Sequence, residues 1–318
     1  MRSYTKSREE IAGLCNVSTD DTTAMSKIDG FLNDSIRTVC NIRGGKWWFL
    51  EETKNLATVA SQNYVVIPQG FRKVMDLTIT VGSTVYTPTP VFDNNAWNTI
   101  IASDLGESDV PSFIYQVGNK IFIAPTPATT GSTVTIRGRK EVVDLTIPDV
   151  TTSTVIAIDN GDTAVAINAG GLASMAGKYL RITSTGAANT GDGRWYEIAS
   201  ATATTITLVA PYEGTTIAAG TAACTIAQMS PIPEAYDMAP IYRSSALYWL
   251  DKGDLKKSTT YWRLYDGGQE AGLSQSVGGI IGQMIENESS TIESPYISPN
   301  GLGRVDPNLP PQYPLSGF

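Results

Sequence analysis

The side chains that could do chemistry in this 318-residue chain are few and far apart. There is no histidine, which removes the commonest general base near neutral pH and the commonest zinc ligand. Cys15, Cys40 and Cys224 form no CxxC pair, so they read as small buried hydrophobes more than as a disulfide frame or metal site. No GxSxG stretch occurs, and neither Cys15 nor any serine has the usual base. The nearest approach to a phosphate loop, GGLASMAGKY at residues 170–179, fails on two counts. Gly171 and Gly177 enclose five residues instead of four, and Tyr179 stands where a metal-binding Ser or Thr is needed. The run Asp159, Asn160, Gly161, Asp162 has the flavour of a calcium loop, but the ligand that would close a twelve-residue loop is missing, so a hairpin turn is expected. Asp192 between Gly191 and Gly193 is likewise a turn. Asp and Glu are plentiful, and whether two form a glycosidase-type pair turns on a separation that sequence does not display. The expectation is a chain that is not an enzyme, with no catalytic residue, cofactor or metal.

Aromatic residues are the stronger signal. Trp47, Trp48, Trp97, Trp195, Trp249 and Trp262, with fourteen tyrosines, exceed what one small core needs, and both residue types favour protein interfaces. The charge balance, 23 basic against 31 acidic residues for a net of −8, argues against a nucleic-acid-binding surface, since duplex affinity rests on Lys and Arg neutralising phosphates. The N-terminus lacks the apolar core of a signal peptide, and no stretch reaches the ~18 apolar residues of a membrane span. A soluble protein made in a cytoplasm, without membrane contact, is expected.

The elements that must position these residues begin with a helical hairpin over residues 231–273. Tyr236, Ala239, Tyr242, Ala246, Leu247 and Leu250 recur at helical spacing; Gly253 stops the helix and Asp254 caps the next. Leu255, Tyr261, Trp262, Leu264 and Tyr265 give the second helix its apolar side. Pro240 predicts a kink or a displaced start. Near the N-terminus, Ser7 and Glu10 fit a capping box opening a short helix through Ile11 and Leu14. Asp20 and Asp21 precede a longer helix with Ala24, Ile28, Phe31, Leu32, Ile36 and Val39 on one face, ended by Gly44 and Gly45. The expected bundle core is Ile28, Phe31, Leu32, Ile36, Tyr242, Leu247, Leu250, Trp262 and Tyr265.

Between the helices the chain is β-rich. A β-meander accounts for the first half, and its clearest part is a hairpin in which Phe113, Tyr115 and Val117 alternate, Gly118 and Asn119 turn, and Ile121 and Ile123 return. From about Asp149 the composition shifts to Thr, Ala and Gly, with strands about ten residues apart, as in a small sandwich or barrel. The predicted fold class is α+β: a helical bundle with a β-meander and an inserted all-β sandwich or barrel. Its divisions are a core of residues 1–148 and 231–275, an inserted β-domain of 149–230, and an extended C-terminal arm of 276–318, rich in Gly, Pro, Ser and Asn. Isolated apolar residues in the arm, Ile280, Ile281, Met284, Tyr296 and Tyr313, predict docking on a partner. Trp195, Tyr196 and Tyr212 of the inserted domain are candidates for a partner or carbohydrate-stacking surface.

WWFLE at residues 47–51, YVVIP at 64–68, PSFIYQVGNKIFIAPTP at 111–127 and PIPEAYDMAPIYRSSALYWL at 231–250 follow an N-terminal helix in an order that resembles the head-to-tail adaptor, or connector, proteins of tailed bacteriophages, particularly short-tailed ones. The pattern P-S-x-x-Y-x-x-G-x-x-I-x-x-x-P-x-P at 111–127 is the most specific piece, and the inserted domain departs from the minimal form. The resemblance implies a virion protein at the head-to-tail interface that assembles with itself as a ring, a dodecamer matching the portal protein. Extended segments, here the C-terminal arm, would reach the portal. Tail tube, nozzle or fibre proteins would dock on the ring, and DNA would pass through its channel without specific binding. The alternative is a tail-associated host-recognition or carbohydrate-binding protein using the inserted β-domain.

Overall fold

The computed structural model describes residues 2–103, 105–167, 175–184, 193–217, 222–268 and 277–291. Two helices open the chain, α1 (Tyr4–Cys15) and α2 (Thr22–Asn41). The cap of α1 is Ser3, whose hydroxyl accepts from the Lys6 amide at 3.3 Å. Ser7, the expected cap, lies one turn inside, buried, with its hydroxyl donating to the Ser3 carbonyl at 2.9 Å. The helix starts earlier than its sequence predicts because the Tyr4 amide is held by the Gln228 carbonyl, a partner remote in the chain. In α2 the Asp21 carboxylate caps the amides of Thr23 and Ala24, and Ala24, Ile28, Leu32, Ile36 and Val39 are buried. Trp47 follows, fully buried, donating its indole N–H to the Val39 carbonyl at 2.8 Å.

The β-meander comprises β1 (Glu51–Ala57), β2 (Tyr64–Val66), β3 (Phe71–Val81), β4 (Thr84–Tyr86), β5 (Thr89–Val91), β6 (Phe113–Val117), β7 (Lys120–Ala124) and β8 (Thr133–Lys140). It forms two four-stranded sheets, ordered β1-β8-β3-β4 and β2-β7-β6-β5. The β6–β7 register runs from Phe113↔Ala124 to Val117↔Lys120 about a turn in which Gly118 takes φ +57°, conformational space that glycine enters at little cost. Leu77, Ile79, Val134 and Ile136 of the first sheet meet Val65, Ile121 and Ile123 of the second in one apolar cluster. Between β5 and β6 comes a helix that the sequence reading missed, α3 (Asn94–Ala102), capped by Asp93 and carrying Trp97 onto Tyr115 at 5.4 Å.

The Thr/Ala-rich region supplies β9 (Val150–Ala157), β10 (Ala164–Ile167), β11 (Tyr179–Ser184), β12 (Trp195–Ala201), β13 (Thr205–Leu208) and β14 (Ala222–Ala227). These pair in the order β10-β13-β12-β11-β14-β9, and β9 pairs again with β10. Alternate residues such as Val165, Ile167, Leu180, Ile182, Ile198, Ile206 and Leu208 point inward to a separate apolar core.

The C-terminal helices are α4 (Met238–Asp251), α5 (Leu255–Asp266) and α6 (Ile280–Thr291), with the two-residue strands β15 (Gly267–Gly268) and β16 (Val277–Gly278) between the last two. Pro240 sits in the first turn of α4, where the missing N–H would have had no partner in the helix. Gly253, at φ +76°, stops α4, and the Asp254 carboxylate caps α5 by accepting from the Lys257 amide. Ile28, Leu32, Ile36 and Tyr265 are buried in the helical core, with Phe31, Tyr242 and Trp262 half-buried against it. Two expected core residues differ. Leu250 is 47% exposed, because helical spacing puts it on the far side of α4 from the buried Ile241, Ser245 and Tyr248; Leu247 is half-buried. The segment expected to be an extended arm begins as α6, whose Ile281 and Met284 complete the same core.

Candidate interaction surfaces

None of the three cysteines is set up as a nucleophile. All are buried, and burial pushes the Cys15 thiol up to about 11 and that of Cys40 to about 12, which leaves no thiolate near neutral pH. Among the described residues no group of three or more His, Cys, Asp or Glu side chains could hold a metal ion, and no helix is long and apolar enough to cross a membrane. The Asp159 to Asp162 run is a hairpin turn, with the Asp162 amide donating to the Asp159 carbonyl at 3.1 Å and Gly161 at φ +91°. Of the glycine-rich stretch at 170–179, residues 170–174 lie outside the described residues, as does Asp192.

What the chain builds with its polar groups is attachment. The segments that enter and leave the β9–β14 module are both fastened to the N-terminus of α1. Asp149 accepts from the Ser3 hydroxyl at 2.6 Å and from the Thr5 amide at 3.4 Å, while its own amide donates to Thr5 Oγ1 at 2.9 Å. On the other strand, the Gln228 carbonyl accepts from the Tyr4 amide at 2.9 Å, while its Oε1 accepts from the amides of Thr146 and Ile147 and its Nε2 donates to the Asp144 carbonyl, which ties the two segments to each other. Ion pairs tie the terminal helices together: Arg2 with Asp237 at 3.4 Å, Lys27 with Asp251 at 2.8 Å and Arg243 with Asp34 at 2.6 Å. Arg243 also donates to the buried Ser35 hydroxyl, which in turn meets Ser244. Short polar side chains at this crossing allow α2 and α4 to approach closely while leaving their hydroxyls partnered.

The expected surface residues fare unevenly. Trp195, Tyr196 and Tyr212 do not form one outward patch. Tyr196 and Tyr212 are 6% and 0% exposed inside the module, 5.6 Å apart, and only Trp195 is half-exposed, with the Arg181 guanidinium 5.7 Å from its ring. Adjacent residues on a strand face opposite ways, so Trp195 and Tyr196 cannot share a face. In the predicted arm, Ile281 and Met284 are 5% and 2% exposed and Ile280 is half-buried, all three committed to the chain's own bundle; Tyr296 and Tyr313 lie outside the described residues.

Two exposed apolar areas went unnoticed in the sequence. At the α4–α5 turn, Leu250 and Leu255 stand exposed beside Lys252, Lys256 and Lys257, with Lys257 Nζ 3.7 Å from the Trp249 ring centroid. At the edge of the two sheets Phe92, just after β5, is 90% exposed and Met75 of β3 41%. There a groove of about 530 Å³ opens beside Val74, Leu77, Pro90, Val91, Phe92 and Ile114. Its one trace in the sequence is Phe92, a lone aromatic residue after Pro88 and Pro90.

A family model described as SU10 adaptor protein matches residues 4–170, from α1 through both sheets into the first strands of the module. No curated protein matches the chain.

Proposed function

The chain belongs to the SU10 adaptor protein family, head-to-tail connectors of tailed phages with a structural role in the virion, and from that premise we propose that it works as one subunit of a ring between portal and tail. In this reading the ring prolongs the DNA channel and offers the tail its docking surface, as in short-tailed phages. The observation that carries it is the family match over α1, α2 and both sheets. The net charge of −8 supports it, because a channel that DNA must traverse is served by a surface that does not retain phosphates.

The helical bundle, fixed by its buried core and cross-helix ion pairs, sets the subunit's shape and hence the spacing around the ring. The six-stranded module, which we read as a small barrel inserted at 149–230, is fastened to α1 through the Asp149 carboxylate and the Gln228 carbonyl and so presents its outer face to tail or fibre proteins at a fixed angle. Portal contact falls to residues after Thr291, Tyr296 among them, since Ile281 and Met284 are spent in the bundle. The carbohydrate-binding alternative loses two of its three aromatic residues to the module's interior. Native mass spectrometry of the chain mixed with purified portal rings tests the proposal. It predicts a complex with as many adaptor copies as portal subunits; portal rings that stay bare at saturating concentration would oppose it.

A further inference from the structure

We propose that the groove at the β4–β5 edge receives the proline-rich stretch 306–315 of a neighbouring copy of this chain. The inference rests on the ring reading for the neighbour's presence, and on this chain's own residues for everything else. The groove lies beside β3, β5 and β6, and Val74, Leu77, Val91, Phe92, Ile114 and Ile121 give it an apolar wall. Phe92, 90% exposed, stands over it after Pro88 and Pro90, which fix the approach of the chain.

The manner of binding follows from the edges. β4 and β5 are three residues each, and Pro90 in the middle of β5 has no N–H to donate, so a strand added to β5 would lack a ladder bond at that position. A polyproline II segment needs no ladder. It has no internal hydrogen bonds, little entropy to lose, and docks by laying proline rings and apolar side chains against aromatic and aliphatic walls.

The sequence of this chain holds the proline spacing that such docking uses. Residues 306–315 read DPNLPPQYPL, which holds the P-x-x-P spacing twice, at Pro307 with Pro310 and at Pro311 with Pro314, along with Leu309, Tyr313 and Leu315. It follows α6, which packs on α4 and α5 in the helical core. Residues 292–305, if extended at ~3.3 Å each, would span on the order of 45 Å, so the stretch is not confined to the surface beside α6. With one charged residue in the stretch, Asp306, and one in the groove wall, Asp76, the contact is mainly apolar.

The test measures fluorescence anisotropy of a dye-labelled peptide of residues 303–318 titrated with the full chain, unassembled. Saturable binding that weakens at least tenfold with Phe92→Ala, and with a peptide in which Pro310, Pro311 and Pro314 are alanine, supports the proposal. Phe92 is almost wholly in solvent, so its removal leaves the fold unchanged, which circular dichroism verifies. Absence of binding, or binding indifferent to either change, overturns it. A second arm places a photo-crosslinking amino acid at position 92 in a mixture of ¹⁴N- and ¹⁵N-labelled full chains. Crosslinks from position 92 to residues 306–315 that join light to heavy chains support a neighbouring copy; crosslinks only within one label overturn it. Neither arm uses the portal, so failure here with normal portal binding sinks this inference alone, and loss of portal binding with both arms positive sinks the ring reading alone.

Discussion

Cutting the chain before or after α6 should have opposite consequences. Ile281 and Met284, 5% and 2% exposed, pack into the helical core with Ile28, Leu32, Ile36 and Tyr265. Burying an aliphatic or thioether side chain contributes about 1.5–3 kcal/mol, so removing both forfeits about 3–6 kcal/mol. That is a large part of the roughly 5–15 kcal/mol that holds a domain folded. A chain ending at Leu273 should therefore unfold at much lower urea, and its failure to bind portal would say nothing about an arm. A chain ending at Thr291 should keep the full urea midpoint. Met284→Ala alone should cost about 2–5 kcal/mol, the range for emptying a well-packed site. Urea titrations followed by tryptophan fluorescence measure all three, since Trp47, Trp249 and Trp262 lie in or against the same core. A chain ending at Leu273 with an unchanged midpoint would refute the packing of α6 and restore the arm.

Three further outcomes are expected. Asp149→Ala removes the acceptor for the Ser3 hydroxyl and the Thr5 amide, so it should destabilise by about 1–2 kcal/mol and speed hydrogen exchange at residues 3–5 while the module's own core stays protected; unchanged exchange at 3–5 would argue against the clamp. Asp109 accepts from the Thr129 amide and hydroxyl, which hold its carboxyl below the usual 3.8. A depressed carboxyl stabilises the fold above its unfolded pKa and loses that contribution as pH falls through the folded one. Asp109→Asn should thus be less stable than the parent at pH 7, with the gap closing below about pH 3.8; a gap that persists into acid would oppose the assignment. At Gly138 an added Cβ would run into the Phe71 ring and stand 2.6 Å from the Lys73 carbonyl, so Gly138→Ala should lower stability by about 1–3 kcal/mol in a thermal melt, and a neutral result would mean that β3 and β8 pair less tightly than described.

Where local signals and tertiary packing agree, the chain is readable. α2 has its Asp21 cap and its Ile28, Leu32, Ile36 face as expected, although it ends at Asn41, with a short 3-10 turn before Gly45, and the hairpin about Gly118 and Asn119 has alternation on both sides of a turn that fixes its register. The misreadings arise where a remote partner decides. α1 starts at Tyr4 because Gln228 takes its first amide. α6 carries Gly282 in its first turn and follows Gly278 and Gly279, so propensity argues against it; the core surface that orders it belongs to α4 and α5. The helix α3 is nine residues of modest propensity, yet Asp93 three residues before Ala96 was a legible cap. Among the proposed surface residues, strand alternation alone would have separated Trp195 from Tyr196, whose cross-strand partner Leu180 is fully buried. Phe92 after Pro88 and Pro90 hints at an exposed aromatic residue, but the groove beside it arises from sheet edges that meet only in three dimensions.

The most direct test of the central claim is the number of copies of this chain per purified phage particle, counted by mass spectrometry against labelled reference peptides together with the portal protein. A ring at the head-to-tail junction predicts a count equal to that of the portal, about a dozen. A count matching trimeric tail fibres, or absence from the particle, would contradict it.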